Sequence, residues 1–416
     1  MNTTVPNLKE EIKRPLPKGW RRVSLGEVCK VQGGFAFRSE DYQNQGFPII
    51  RISNIIDGYV KITDDTVCVA EKIVSELEQF RLFQGDILIA MSGATTGKVG
   101  YVQKKFPQAY LNQRVGRLKP DEKEVDINYL YLLLRQPGYL EKIFRNAFGS
   151  AIPNVSPGFI ESLEVFLPPL PEQKRIAAIL NEQIAAVEKA RAAAEAQLEA
   201  AQSLPAAYLR SVFNSSEAQG WRRVKLGEIT KIVSGNTPKG LEKAGHNGKI
   251  PFYKVSDMNT IGNEIFMKKA SINLTDEEIN FLKIKIFPSG TVIFPKRGGA
   301  ILTNKKRVLF YNSSFDLNIM GVIPPSIIDG TFLFYWFQKL DLATLYDGSN
   351  VPQINNKNIE PLDFILPPLP EQKRIAAILN EQITSVEKLS KHIEEQLTTI
   401  NILPAALLKR AFEGGL

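Results

Sequence analysis

Residues 167–184 read LPPLPEQKRIAAILNEQI, and residues 366–383 read the same string without a change. An exact internal repeat of this kind decides the architecture before any other feature is weighed. Its prolines give a stiff, extended lead-in, and Pro171 suits a first helical turn with Glu172 beside it. Apolar residues then recur at three- and four-residue steps: Ile176, Leu180, Ile184, Val187, Ala190, Ala194, Leu198 and Ala201. The second copy runs Ile375, Leu379, Ile383, Val386, Leu389, Ile393, Leu397 and Ile400. Each spacing predicts a helix of about 32 residues, roughly 48 Å long, ended or kinked at Pro205 and again near Pro404. Where the first helix has Ala190, Ala194 and Ala201, the second has Leu389, Ile393 and Ile400. Small residues on one rod accept large ones from the other, so the two helices are expected to pair as an antiparallel coiled coil with a pseudo-twofold axis.

Working outward, a second pair of anchors opens each half. Residues 20–34 read WRRVSLGEVCKVQGG and residues 221–235 read WRRVKLGEITKIVSG. Between the anchors the halves diverge while their landmarks keep order. PIIRIS at 48–53 parallels PFYKVS at 251–256, GDIL at 85–88 parallels GTVI at 290–293, Leu111-Asn112 parallels Leu317-Asn318, and Gly149-Ser150 parallels Gly348-Ser349. Strand signals fill these modules at 47–53, 86–91, 163–167 and 291–295, with helical pieces at 127–135 and 331–340. The expected fold class is α+β: two mixed α/β modules, 1–166 and 214–365, joined by helical segments 167–213 and 366–416.

Composition narrows the chemistry. The chain carries a net charge of +8 and a pI of about 9.2, a balance that suits a polyanion. Its 44% hydrophobic and 23% charged residues are ordinary for a globular protein. Cys29 and Cys68 lie in no metal-ligand spacing, and His246 and His392 offer little to metal or general-base catalysis. No metal site and no catalytic residue is therefore expected. No apolar run is long enough to span a bilayer and the N-terminal stretch has no signal-peptide core, which points to the cytoplasm.

The glycine-rich stretch SGATTGK at 92–98 has only three residues between its glycines and Val99 after its lysine, so it does not fit a nucleotide-binding P-loop. It suits a turn that brings Lys98 to a phosphate backbone. PKRGG at 295–299 holds the matching place in the second module, with Lys305, Lys306 and Arg307 following. The candidate nucleic-acid contacts are Arg51 and Lys98 in the first module and Lys254, Lys296, Arg297, Lys305, Lys306 and Arg307 in the second, with Arg114 and Arg117, flanking Gly116, weaker. Neither a glycine-rich cofactor loop nor an Asn/Asp-Pro-Pro-aromatic loop of a methyltransferase is present: Leu precedes Pro168 and Pro367.

LPPLPEQKRIAAIL standing twice, after divergent modules that end in GSAIPNV and GSNVPQI, resembles the specificity subunit of type I restriction–modification enzymes. That resemblance covers the whole chain. It implies two target-recognition domains, each reading half of a bipartite double-stranded DNA site, and helices that dock two modification (methyltransferase) subunits. Restriction (translocase and endonuclease) subunits would join them, and S-adenosylmethionine, ATP and Mg2+ would act in the partners rather than in this chain. The polar residues repeated with the apolar ones fit this expectation. Lys174, Arg175, Asn181 and Glu182 match Lys373, Arg374, Asn380 and Glu381 and point away from the apolar stripe, as two identical faces for two copies of one partner would. The competing readings are a coiled-coil scaffold that binds only proteins and a self-contained DNA-modifying enzyme.

Overall fold

The computed structural model describes residues 18–147, 154–243, 247–346 and 351–412. His246 and the segments 149–153 and 348–350 of the two GS motifs lie outside them. The chain divides into two compact units, Met1–Glu195 with Glu395–Leu416, and Ala196–Glu394.

The repeated anchors are partners in space. Strand Arg21–Ser24 pairs antiparallel with Glu164–Leu167 in the register Arg21↔Leu167, and Arg222–Lys225 pairs with Asp363–Leu366 in the register Arg222↔Leu366. WRRV and LPPLP recur together because one strand feeds the long helix and the other holds it. In the first unit the main sheet runs, in spatial order, Cys29–Gly33, Val115–Pro120, Ile87–Ala90, Val99–Tyr101, Tyr59–Val60 and Ile55–Ile56. The second unit repeats the plan with Lys231–Ser234, Ile319–Ile323, Val292–Pro295, Arg307–Leu309 and Phe266–Met267. A smaller sheet in each contains a parallel pair, Ile50↔Leu111 in one and Tyr253↔Phe315 in the other. The expected strand at 47–53 is shorter than read: it stops at Ile50, and Asn54 Oδ1 accepts from Arg51 N at 3.0 Å to close a 3-10 turn over Ile52–Asn54.

An apolar helix lies at the centre of each unit, Ile127–Leu134 and Gly330–Gln338. Asp126 and Asp329 cap them by accepting from the first-turn amides, the role for which a short acidic side chain is suited. Tyr129 to Leu134 and Phe332 to Phe337 are buried throughout, enclosed by the sheet and the long helices.

The long helices run Leu170–Phe213 and Leu369–Phe412, 44 residues each, and continue past Pro205 and Pro404. The expected stop at these prolines is not observed, for an energetic reason. An interior proline costs about 3 kcal/mol, while burying a Leu or Phe side chain stabilises by about 1.5–3 kcal/mol. Leu209 and Phe213, beyond Pro205, lie in the core of the second unit, and Leu408 and Ala411, beyond Pro404, in that of the first. Within each unit the start of one long helix lies beside the end of the other: Ile176 and Leu180 share a core with Leu408 and Ala411, and Ile375 and Leu379 with Leu209 and Phe213. Ala194, Ala201 and Ile393 are buried as the small-to-large reading requires, but Ala190 and Leu389 are exposed.

One polar residue of the repeat is fully buried in both copies. Gln173 Oε1 accepts from Asp126 N at 2.8 Å, and its Nε2 donates to Glu124 O and Pro168 O at 3.0 and 2.8 Å. Gln372 makes the same set with Asp329 N, Ile327 O and Pro367 O at 2.9, 3.0 and 2.8 Å. Each glutamine fastens a long helix to the cap of the central one.

Candidate nucleic-acid interface

The antiparallel registers bring several strand ends to one edge of each unit. In the second unit Pro295 lies opposite Ile319, and Ser234 opposite Met320. The residues continuing past this edge are Lys296 and Arg297, Asn318, and Gly235. The parallel pair Tyr253↔Phe315 adds Lys254 and Asp316. In the first unit Ala90 lies opposite Val115 and Gly33 opposite Gly116, and the parallel pair Ile50↔Leu111 adds Arg51 and Asn112. Met91, Ser92, Arg114 and Gly34 then stand where Lys296, Arg297, Asn318 and Gly235 stand in the other unit. Only glycine is possible at 34 and 235: an added Cβ would meet Asn112 O at 2.3 Å and Asp316 O at 2.0 Å. The same registers correct the sequence alignment, since Leu111-Asn112 corresponds to Phe315-Asp316 rather than to Leu317-Asn318.

Cations gather on these edges. In the first unit Arg51 is half-buried and Lys98 and Arg114 are exposed. The Arg51 guanidinium donates to Asp65 O at 3.3 Å and lies over the Tyr42 ring, 5.8 Å from its centroid. In the second unit Lys254 and Arg297 are exposed. Lys296 Nζ donates to Ser234 Oγ at 2.8 Å, and burial, with Arg297 beside it, holds this ammonium below the ordinary lysine range. Burial pushes the Asp316 carboxyl up, against hydrogen bonds from Asn318 and the nearby charge of Lys254. Lys305, the counterpart of Lys98, is half-buried with its ammonium on Asn259 Oδ1.

Three cations read from the sequence as contacts are committed to the fold instead. Lys306 is fully buried: its Nζ donates to Leu340 O at 2.6 Å and Asn304 Oδ1 at 2.7 Å, and burial lowers its pKa to about 8. The register Val292↔Val308 and Ile293↔Arg307 carries Lys306 to Phe294, as Ile89 carries the buried Val99, so strand alternation turns it inward. Arg307 donates to Lys306 O and Met258 O at 2.8 and 3.1 Å. Arg117 is buried and spends its guanidinium on Gln79 O, Arg81 O, Gln32 and Asp86.

Charge reading missed the neutral members of the edge. Asn154 meets Ser92, and Gln353 meets Arg297, each through an isolated antiparallel β-bridge. They hold the same place in the repeated motifs GSAIPNV and GSNVPQI, but only the pairing of distant segments brings them to this edge.

On the long helices, Lys174, Arg175, Asn181 and Glu182, with Lys373, Arg374 and Glu381, are exposed. Arg175 grips Glu172 with two bonds of 2.8 Å, and Arg374 grips Glu371 at 2.8 and 2.6 Å, holding both carboxyls below their usual range. Asn380 departs from the expectation: it is half-buried and accepts from Tyr335 Oη at 3.2 Å. In the second unit a groove lined by Leu204, Tyr208, Ile378, Val386 and Leu389 runs beside Glu381. Among the described residues no helix is long and apolar enough to cross a membrane, and no cluster of His, Cys, Asp and Glu is placed to hold a metal.

The chain is 28% identical over 436 residues to the type I restriction enzyme StySPI specificity subunit of Salmonella potsdam, covering 96% of this chain and 90% of that protein. It is 23% identical to the EcoKI specificity subunit of Escherichia coli strain K12, over 96% and 90% of the two. The HsdS subunit structure from Thermoanaerobacter tengcongensis superposes with a TM-score of 0.59 at 20% identity over 97% and 99% of the chains. A chain solved for the complex assembly and conformational transition of the type I R-M system reaches 0.70, also at 20% identity, over 97% and 100%. The family model for the type I restriction modification DNA specificity domain matches twice, at residues 17–199 and 218–399. The chain therefore belongs to the type I restriction–modification specificity family, as a DNA-specificity subunit with two target-recognition domains and without catalytic activity of its own.

Proposed function

We propose that each strand-end edge reads one half of a bipartite double-stranded DNA sequence. The observation that carries this reading is one edge built twice on the same backbone plan with different side chains. A shared scaffold with varied outward residues suits two readers of unlike half-sites. Arg51, Lys98 and Arg114 on one edge, and Lys254, Lys296, Arg297 and Lys305 on the other, supply the cations that phosphates and guanine edges attract. Residues 1–166 and 214–365 act as the recognition domains, with 167–213 and 366–416 as helical spacers.

The matching helix faces dock two modification subunits, through Lys174, Arg175, Asn181 and Glu182 on one and Lys373, Arg374 and Glu381 on the other. The apolar groove beside Glu381 supports a protein partner there. Restriction subunits join the same assembly in the cytoplasm. S-adenosylmethionine, ATP and Mg2+ serve the partners, and this chain binds no cofactor itself. Exchanging residues 20–160 for the module of another family member tests the reading. The half-site of the methylated sequence assigned to the first module changes and the other stays. A change in both halves together refutes two independent readers.

A further inference from the structure

The bridged positions hold the most specific feature of the two edges. In the second unit the Arg297–Gln353 bridge is locked by Ile354 N donating to Lys296 O at 2.9 Å and Gly298 N donating to Pro352 O at 2.8 Å. In the first, the Ser92–Asn154 bridge is locked by Val155 N donating to Met91 O at 2.8 Å. A left-handed glycine follows in both, Gly93 at φ +75° and Gly298 at φ +71°, and each opens a 3-10 turn. The backbone is thus fixed to one pattern while the side chains differ in both members of the pair.

Their chemistry differs in kind. Arg297 is exposed, and its Nη2 reaches Gln353 Oε1 at 3.4 Å. Gln353 Nε2 donates to Asn355 Oδ1 at 2.8 Å, which sets the amide so that its oxygen faces the guanidinium. Gly298 and Gly299 leave open space where a side chain would stand, so a duplex can approach closely. The first unit offers a short hydroxyl and a short amide instead. Ser92 Oγ is buried and has no hydrogen-bond partner among the described residues, while Asn154 is exposed.

We propose that Arg297, braced by Gln353, recognises a guanine in the half-site read by the second module, and that the exposed Asn154, set beside the buried Ser92, fills the equivalent base-reading position in the first. Arginine presents two parallel donors that match guanine O6 and N7, which no other base offers together in the major groove. The Asn154 amide has no such fork, so the two modules read different bases from one backbone site. This inference rests on the strand-end edge being the DNA-reading surface.

The test uses the whole chain assembled with its methylating partner, mapping the methylated sequence and measuring binding to cognate duplexes and duplexes altered at one base pair. Arg297→Ala lowers discrimination at a single G·C position of one half-site by about ten- to a hundredfold and leaves the other half-site unchanged. Arg297→Lys keeps the charge and the salt dependence but loses most of that discrimination, because an ammonium lacks the fork. Both variants keep the wild-type melting temperature, since the bridge is made by backbone. Unchanged discrimination in Arg297→Ala overturns the proposal while leaving two-module reading intact, and so does a uniform loss of affinity for all sequences, which marks a phosphate contact. Failure of the 20–160 exchange to move either half-site refutes the underlying reading instead.

Discussion

Gln173 and Gln372 carry the same side chain and make the same three hydrogen bonds; Ser92 and Arg297 share a backbone place and carry different side chains. The difference is one of direction. Each glutamine points inward to an amide and two carbonyls that no other residue serves, so its identity is dictated by the fold. Ser92 and Arg297 are placed by backbone bridges that do not depend on the side chain, which is a buried hydroxyl in one and an exposed guanidinium in the other. At these glutamines identity between the repeats follows from inward duty, while at 92 and 297 the same backbone place carries side chains that the fold does not dictate.

The strongest way to break this comparison is at the glutamines. Gln173→Ala strands the Asp126 amide and leaves two carbonyls short of a donor, with an expected loss of about 3 kcal/mol. Gln372→Ala should cost nearly the same, because its bonds are the same. Urea unfolding of the two variants checks this; a large loss in one and none in the other means the latches are not equivalent.

A second prediction sharpens it at Lys306, an inward cation among outward ones. Burial holds its folded pKa near 8, below the ordinary 10.5. Folding therefore disfavours the protonated form. That penalty is fully present below about pH 8 and fades as the pH rises towards 10.5. Relative to Lys306→Met, which cannot titrate, the wild type should gain stability across this interval. A flat difference in urea midpoint would place the ammonium in water.

The smallest effect on stability is expected on the helix faces. Arg175→Glu removes an exposed pair with Glu172 that solvent screens, so the melting temperature should hardly move. Its effect on assembly is larger: at limiting concentration one modification subunit remains, and with Arg374→Glu added neither binds tightly. Native mass measurement of the complex decides it; a double variant that still holds two removes these faces from the interface.

How far the sequence led depends on which forces act at each site. The apolar stripe of the long helices was legible in part, because burial and helical period speak through the same residues: Ala194, Ala201 and Ile393 are buried as that pattern asks, while Ala190 and Leu389 are exposed. Pro205 misled because a local rule met tertiary burial of Leu209 and Phe213 and lost. The run at 305–307 read as three nucleic-acid contacts, yet strand alternation buries Lys306 while Lys305 stays half-buried. Arg51, Lys98, Arg114, Lys254, Lys296 and Arg297 reach the edges through glycine turns and strand ends that the sequence marks plainly. Asn154 and Gln353 stood in the repeated GSAIPNV and GSNVPQI motifs, but neutral side chains gave charge reading nothing to find, and only a bridge between remote segments makes them part of the edge.

The division of the chain into units has a consequence for synthesis. Unit 2, Ala196–Glu394, is contiguous and closes its core from one unbroken stretch. Unit 1 needs Glu395–Leu416, made about two hundred residues after its other part ends at Glu195. Until Leu408 and Ala411 emerge from the ribosome, Tyr129, Ile176 and Leu180 keep apolar surface open to water. The half translated first is thus the half completed last, and its closure waits on a contact between remote parts of the chain, the slowest kind to form.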